Sequence, residues 1–315
     1  MKVAITGSNG FLGKYLVEAF LQSGYEVKAF VRKSAKTSHI EHHKNLKLVT
    51  IDYNQLPQEL ERIKNETGQL DYLIHNAGKT TSVYPKDYEE INVQLTRRLV
   101  EGIEETNFIS KKLIYISSYT AHGPAGVGHP VSAYGASKLA AESFILKSKY
   151  PSLIFRPTGI YGAGDVAFLP LFKAAKRGIY PINRSDQKIT MIHAADMAAA
   201  VPHYIDNGTG IFHVNDGNIY SNDDMIDALE EAFKKKIRKI RIPTGISRFG
   251  LSLSDTWHKI TGGPTDLTRE KFNEIAHDWD LHTFDGLRHS EAPVAFDLKK
   301  GFENAYRYYI DNKLI

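Results

Sequence analysis

Residues 132–143 read SAYGASKLAAES, with Tyr134 four positions before Lys138. On a helix, positions i and i+4 lie one above the other, so a phenol and an ammonium reach one small volume. Sixteen residues upstream of the tyrosine, the run YISSYTAHG brings Ser117 and Ser118 to the end of an apolar strand. A hydroxyl, a phenol and an ammonium converging there make a proton-transfer site for a carbonyl or a carbinol. Tyr134 is expected to act as general acid/base, with Ser118 orienting and polarising the same oxygen. A phenol titrates near pH 10, so the reading calls on the Lys138 charge, and on an oxidised nicotinamide ring, to favour phenolate. Bringing the phenol to near 7 takes roughly 4 kcal/mol of differential stabilisation.

Such groups need a scaffold that fixes where strand ends meet helix starts. Short apolar runs at 2–6, 26–31, 46–51, 71–76, 112–117 and 152–157 alternate with amphipathic stretches at 11–23, 56–66, 87–107 and 134–149. Runs apolar on both faces and separated by helices predict a parallel sheet covered on both sides. The expected fold is therefore α/β, a Rossmann-type doubly wound parallel sheet, with a smaller, mainly helical C-terminal domain that holds substrate. The spacing predicts a dinucleotide-binding domain over 1–162, with 190–216 returning to it, and a substrate domain over 163–315.

Directly after the first strand comes TGSNGFLG. Gly7 allows the tight turn, Gly10 lets backbone approach a pyrophosphate, and Gly13 lets the following helix pack on the strand. The main chain of Ser8, Asn9, Phe11 and Leu12 then presents N–H groups at a positive helix end. At the end of the second strand, where an NAD site carries an acid for the ribose hydroxyls, the sequence reads FVRKS. Val31 stands at the acid position, and Arg32 and Lys33 follow, which suits a 2′-phosphate. NADP(H) is expected in preference to NAD(H). Asp52 and Tyr53 close the third strand beside the expected adenine, and the small residues of HNAG, with Asn76, Ala77 and Gly78, leave room across the fourth strand end.

Composition narrows the partners. Forty Lys+Arg against 36 Asp+Glu leave a mild net charge of +4 spread along the chain, which argues against a nucleic-acid groove. The chain has no cysteine, so disulfides, zinc thiolates and cysteine nucleophiles are excluded. No apolar run approaches a membrane span and no leader precedes the first strand, so a cytoplasmic protein is expected. HIEHHK, with His39, His42 and His43, is read as a solvated loop, and no metal site is expected. KKKIRKIR, at 234–241, is read as the end of a helix followed by a strand.

On these motifs the chain resembles the extended short-chain dehydrogenases/reductases, a group that includes nucleotide-sugar epimerases and dehydratases, 3β-hydroxysteroid dehydrogenases and dihydroflavonol reductase-like enzymes. TGSNGFLG matches the family's glycine turn, YGASK its Tyr/Lys motif, and Ser118 the place of its catalytic serine or threonine. INVQLTRRLVEG matches the family's asparagine helix, which implies that Asn92 supports the active-site water and backbone geometry. FRPTGIYGAGD matches the segment that lines the nicotinamide, which implies roles for Pro157, Thr158, Gly159 and Ile160. MIHAADMA matches a further family segment. The family often dimerises through the helices matching 87–107 and 134–149, so a homodimer is implied.

The departures bear on substrate. Ile189 stands where nucleotide-sugar members carry a diphosphate-binding arginine, no second such arginine is evident near the C-terminus, and His122 replaces a family tyrosine. The C-terminal region is nearer to the steroid dehydrogenase and reductase-like branch, where Phe249, Leu251, Trp257 and Ile260 are candidates to wall an apolar pocket. The expected function is an NADP(H)-dependent oxidoreductase acting on a carbonyl or secondary alcohol of a small, largely apolar substrate. The alternatives are a nucleotide-sugar epimerase or dehydratase with tightly held NAD(P), and a non-catalytic nucleotide sensor.

Overall fold

Strand-forming runs and amphipathic stretches settle where their periodicities place them. The chain runs β1 (Lys2–Thr6), α1 (Phe11–Gln22), β2 (Glu26–Val31), β3 (Leu46–Thr50), α2 (Leu56–Thr67), β4 (Leu70–His75), α3 (Pro85–Tyr88), α4 (Leu95–Glu105), β5 (Ile109–Ile116), α5 (Ala133–Lys147) and β6 (Ser152–Pro157). There follow β7 (Gly159–Tyr161), α6 (Leu169–Lys176), β8 (Ile179–Ile182), β9 (Met191–His193), α7 (Ala194–Tyr204), β10 (Gly210–Val214), α8 (Asn222–Phe233), β11 (Arg238–Arg241), α9 (Thr244–Thr261), α10 (Arg269–Ile275) and α11 (Leu298–Asp311). The computed structural model describes residues 1–35, 37, 43–261, 268–280 and 287–315, without the side chains of 246, 248–250, 253, 257 and 260. His39 and His42, and the side chains of Phe249, Trp257 and Ile260, therefore lie outside the described residues.

Seven strands form one parallel sheet in the order β10-β6-β5-β4-β1-β2-β3. The order reverses at β1, whose Val3 pairs with Val27 on one side and Tyr72 on the other. A crevice opens at such a point beyond the carboxyl ends of the strands. Two apolar layers sandwich the sheet, α1 and α7 on one face and α2, α4 and α5 on the other. In α4 the buried Leu95, Leu99, Val100 and Ile103 fall on one stripe, as a helix against a sheet requires. A third cluster joins α6, β8, α8 and α11 around Phe172 and Phe302. The doubly wound α/β expectation is met, and the strand limits differ from those expected by at most a few residues.

The stretch expected as one helix over 87–107 is broken. Between α3 and α4, Glu89–Gln94 winds as a π-helix, a feature common at functional sites. The wider turn places Asn92 in the interior, 1% exposed. The basic run resolves as expected: α8 ends at Phe233, Lys234 takes a left-handed conformation, and β11 begins at Arg238. No helix among the described residues is long and apolar enough to cross a membrane.

Candidate active site

Ser118 leaves β5 in extended conformation and its Oγ accepts from the Thr120 N–H at 3.2 Å and the Thr120 hydroxyl at 2.8 Å. Both lone pairs are then used, so its own proton is free to face the Tyr134 phenol, whose ionised form Ser118 favours. The phenol's proton is left to be given to something else. Ser132 caps α5 by accepting from the Gly135 N–H, which fixes where the helix starts and so where Tyr134 stands.

Tyr134, Lys138 and Glu142 recur at i, i+4 and i+8 on one face of α5. Lys138 Nζ donates to the Ile116 carbonyl at 2.7 Å and lies 4.3 Å over the Tyr115 ring. Burial lowers its pKa to about 7, against a smaller opposing pull from Glu142. Burial, and then the Glu274 carboxylate, push the Tyr134 phenol above its ordinary value, and the Ser118 hydrogen bond offsets this only in part. That direction is opposite to the one expected from spacing, which counts the Lys138 charge but not the penalty of burying a phenolate. The consequence is a neutral phenol at neutral pH, the form that donates a proton.

Glu142 itself is 2% exposed and takes a bidentate pair from Arg156, at 2.9 and 2.6 Å, as well as the Ser117 hydroxyl. Glu142→Ala strands a buried guanidinium and is expected to lower unfolding free energy by about 3–5 kcal/mol. Chemical denaturation read by circular dichroism measures this, and a loss under about 1 kcal/mol, the value of an exposed pair, contradicts it.

Asn92 ties the site to the sheet. Its Nδ2 donates to the Lys79 carbonyl at 3.0 Å and Ser137 Oγ at 2.9 Å, and its Oδ1 accepts the Lys79 N–H at 2.8 Å. A Cβ on Gly78 would lie 3.1 Å from that Oδ1 and 3.8 Å from Lys138 Nζ. A chain of hydrogen bonds that spacing does not reveal lies behind it. Thr6 Oγ1 accepts the Asn76 and Ala77 N–H groups, so its proton goes to His75 Nδ1. His75 Nε2–H then donates to Thr96, which donates to the Asn92 carbonyl. The chain requires a neutral imidazole, and burial with the Lys138 charge holds His75 down at about 3.

The glycine turn makes a cradle. Gly7 has φ +65°, and a Cβ there would come 2.9 Å from Ala77 backbone; one on Gly13 would fall 2.0 Å from the Gly7 carbonyl oxygen. No described side chain caps the N-terminus of α1, which leaves first-turn N–H groups for an anion. Ser8 is fully buried with its hydroxyl on the Phe30 carbonyl, and Leu12 belongs to the core. Those two offer the crevice only their main chain. Asn9 and Phe11 are half-buried at the same turn, and Asn76 holds it by donating to the Gly7 carbonyl at 3.3 Å.

Beyond β2 and β3 a cavity of about 1030 Å³ is lined by Arg32, Lys33, Asp52, Tyr53, Ile91 and Leu95, among others. The Tyr53 hydroxyl is buried there with no hydrogen-bond partner among the described residues. Arg62 on the same wall is held by Glu59 and Glu66, whereas Arg32 and Lys33 make no salt bridge to a described residue. Asp52 accepts the Asn54 N–H. At the other end, Pro157 closes β6, Thr158 bonds the Val214 carbonyl, Gly159 is exposed, and Ile160 packs on the core. The cradle, the orphaned phenol and the open cations fit a dinucleotide lying across the crevice, whose nicotinamide supplies or takes the hydride when bound.

From the far side, α10 crosses the start of α5. Glu270 accepts the N–H of Ala133 and of Tyr134, the latter at 3.1 Å, and Glu274 pairs with the Ser132 hydroxyl and with Lys271 Nζ, at 2.7 Å for the lysine. Lys271 Nζ stands 5.4 Å from the Tyr134 ring centroid.

The model of the NAD dependent epimerase/dehydratase family matches residues 3–219. A ceramide reductase of Caulobacter vibrioides is 29% identical over 98% of this chain and 94% of its own. A decarboxylating sterol-4-alpha-carboxylate 3-dehydrogenase of Saccharomyces cerevisiae is 27% identical over 56% of each chain. The crystal structure of a UDP-glucuronic acid 4-epimerase from Bacillus cereus with NAD superposes with a TM-score of 0.71 at 18% identity, over 98% of this chain and 96% of that one.

Proposed function

The chain belongs to the NAD dependent epimerase/dehydratase family, whose members here are extended short-chain dehydrogenase/reductase enzymes, and on that premise we propose that it is an NADP(H)-dependent carbonyl reductase for a largely apolar substrate. The observation that carries the reading is the proton order at the site. Thr120 fills the acceptor sites of Ser118 Oγ, and burial keeps the Tyr134 phenol neutral, so Tyr134 has its own proton to give to a substrate oxygen.

Two features favour a net reduction over an epimerisation that returns the hydride. Ile189, at the place of a diphosphate-binding arginine, is occupied by backbone bridges to Tyr220 and Trp279 and packs in an apolar cluster. The two relatives above are named for a ceramide and a sterol carboxylate, both largely apolar molecules. Preference for the 2′-phosphate is assigned to Arg32 and Lys33 on the wall of the adenosine-side cavity. A homodimer is also part of the reading: Leu139 and Leu146 are 41% and 52% exposed on the outward face of α5, where a second copy would cover them. Light scattering that gives a monomer at micromolar concentration removes that part.

The test is to titrate NADPH and NADH, then follow NADPH oxidation with long-chain ketones. The double variant Arg32→Ala, Lys33→Ala is expected to weaken NADPH by about 10- to 100-fold, the loss of charge-assisted hydrogen bonds, with NADH little changed. Equal weakening of both nucleotides sinks the assignment. Release of near-stoichiometric NAD⁺ on denaturing freshly purified protein would support the nucleotide-sugar reading instead, because an enzyme that regenerates its cofactor in place retains it.

A further inference from the structure

We propose that Glu270 is a positioning residue for Tyr134: from α10 it holds the first turn of the catalytic helix and so fixes where the phenol stands. The inference deepens the reductase reading and rests on it for the role of Tyr134.

The first N–H groups of a helix have no partner within it. In α5, with Ser132 as its cap, they belong to Ala133, Tyr134 and Gly135. Gly135 donates to the Ser132 hydroxyl oxygen at 3.0 Å. The next donor, Ala136, reaches the Ser132 carbonyl at 3.0 Å and begins the helical ladder. Ala133 and Tyr134 are left. Both donate to one oxygen, Oε1 of Glu270, the Tyr134 N–H at 3.1 Å. The two donors that neither ladder nor cap satisfies are thus met by a side chain 136 residues beyond Tyr134. A carboxylate is also favourable at this positive helix end.

Glu274, one turn along α10 on the same face, completes the hold. Its Oε1 accepts the Ser132 hydroxyl proton, which leaves the serine oxygen to accept from Gly135. Its Oε2 pairs with Lys271 at 2.7 Å, and its side chain is 3% exposed. Glu274 therefore orients the cap, and Glu270 takes the N–H of the catalytic residue itself. Lys138 and Glu142, further along the same face of α5, are fixed by the Ile116 carbonyl and by Arg156. Tyr134 is the member of that face whose own N–H lies ahead of the ladder. α10 lies beyond residues 3–219, the stretch that the family model matches, and it reaches the matched part at this turn.

The experiment compares the parent with Glu270→Ala and Glu270→Gln. Glutamine keeps the Oε1 acceptor without the charge, and alanine loses both. The phenol is observed by fluorine NMR of protein labelled with fluorotyrosine, its line assigned by its absence from Tyr134→Phe, and turnover of a long-chain ketone is followed with NADPH. In Glu270→Ala the Tyr134 line is expected to shift or split. There kcat falls about 10- to 100-fold, the cost of a reacting group out of place, with NADPH affinity unchanged. Glu270→Gln restores the line and most of kcat. Equal losses in the two variants overturn the proposal, because charge and not the held N–H groups would then matter. So does a parallel loss of NADPH affinity, which marks damage to the fold, or an unchanged kcat where the line has moved. If the parent turns over no ketone but the line moves in Glu270→Ala and returns in Glu270→Gln, the reductase reading falls and the positioning stands. If the line does not move, the positioning falls whatever the turnover.

Discussion

Tyr134→Phe is expected to lower kcat for carbonyl reduction on the order of 10³-fold, in the range that a positioned general acid contributes, while NADPH binds as before. The change removes one oxygen and keeps the ring, so its contact with Tyr88, at 6.0 Å between centroids, and the start of α5 are left in place. What is lost is specific: Ser118 keeps its bonds to Thr120, and its freed proton, on a hydroxyl far less acidic than a phenol, is what remains next to the substrate oxygen. Single-turnover kinetics at saturating NADPH separates this from a loss of cofactor. If kcat falls less than about tenfold, the proton comes from another group, and the hydrogen-bond order derived above does not describe the reacting state.

The order of elements that builds this site was legible because each part is local. Alternating apolar runs fix a parallel sheet, and a glycine turn after the first strand can sit only at the crevice where the strand order reverses. Gly7 and Gly13 illustrate why the pattern is dependable. At both, an added Cβ would meet backbone, at 2.9 and 2.0 Å, so spacing and residue type together encode the close approach. Tyr134 and Lys138 are equally local, being one helical turn apart.

The features that stayed hidden depend on distance or on burial. Glu270, Lys271 and Glu274 reach the catalytic helix from α10 across an interval in which no spacing rule operates, and the sequence around them, TREKFNEI, reads as an ordinary solvated helix. His75 ends an apolar strand and looks like a core residue until Thr6 and Thr96 are seen on its two nitrogens. The π-helix over Glu89–Gln94 leaves no mark in an apolar pattern whose periods differ so little. Ser8 and Leu12 were expected with the glycines as one stretch, but only the fold shows that their side chains turn into the core. The direction in which the phenol moves belongs with these: a lysine four residues away is visible in sequence, whereas the penalty for burying a negative charge is not.

That penalty leads to a pH dependence. Lys138 is buried and its pKa is lowered to about 7, so it is ammonium below that pH and neutral amine above it. When Tyr134 has given up its proton, the phenolate left behind is stabilised by the ammonium and not by the amine. For reduction, log kcat/KM is therefore expected to be level below about pH 7 and to fall with a slope of −1 above it. The phenol does not contribute a second descent in this range, because burial moves its pKa upward. Lys138→Met should lower kcat/KM on the order of 10²-fold, the scale of a lost preorganised charge, and remove the descent. Methionine fills similar space without a charge to desolvate, so thermal unfolding is expected not to shift downward, which distinguishes lost chemistry from lost fold. A variant that is slow but still declines above pH 7 would place the titration on another group.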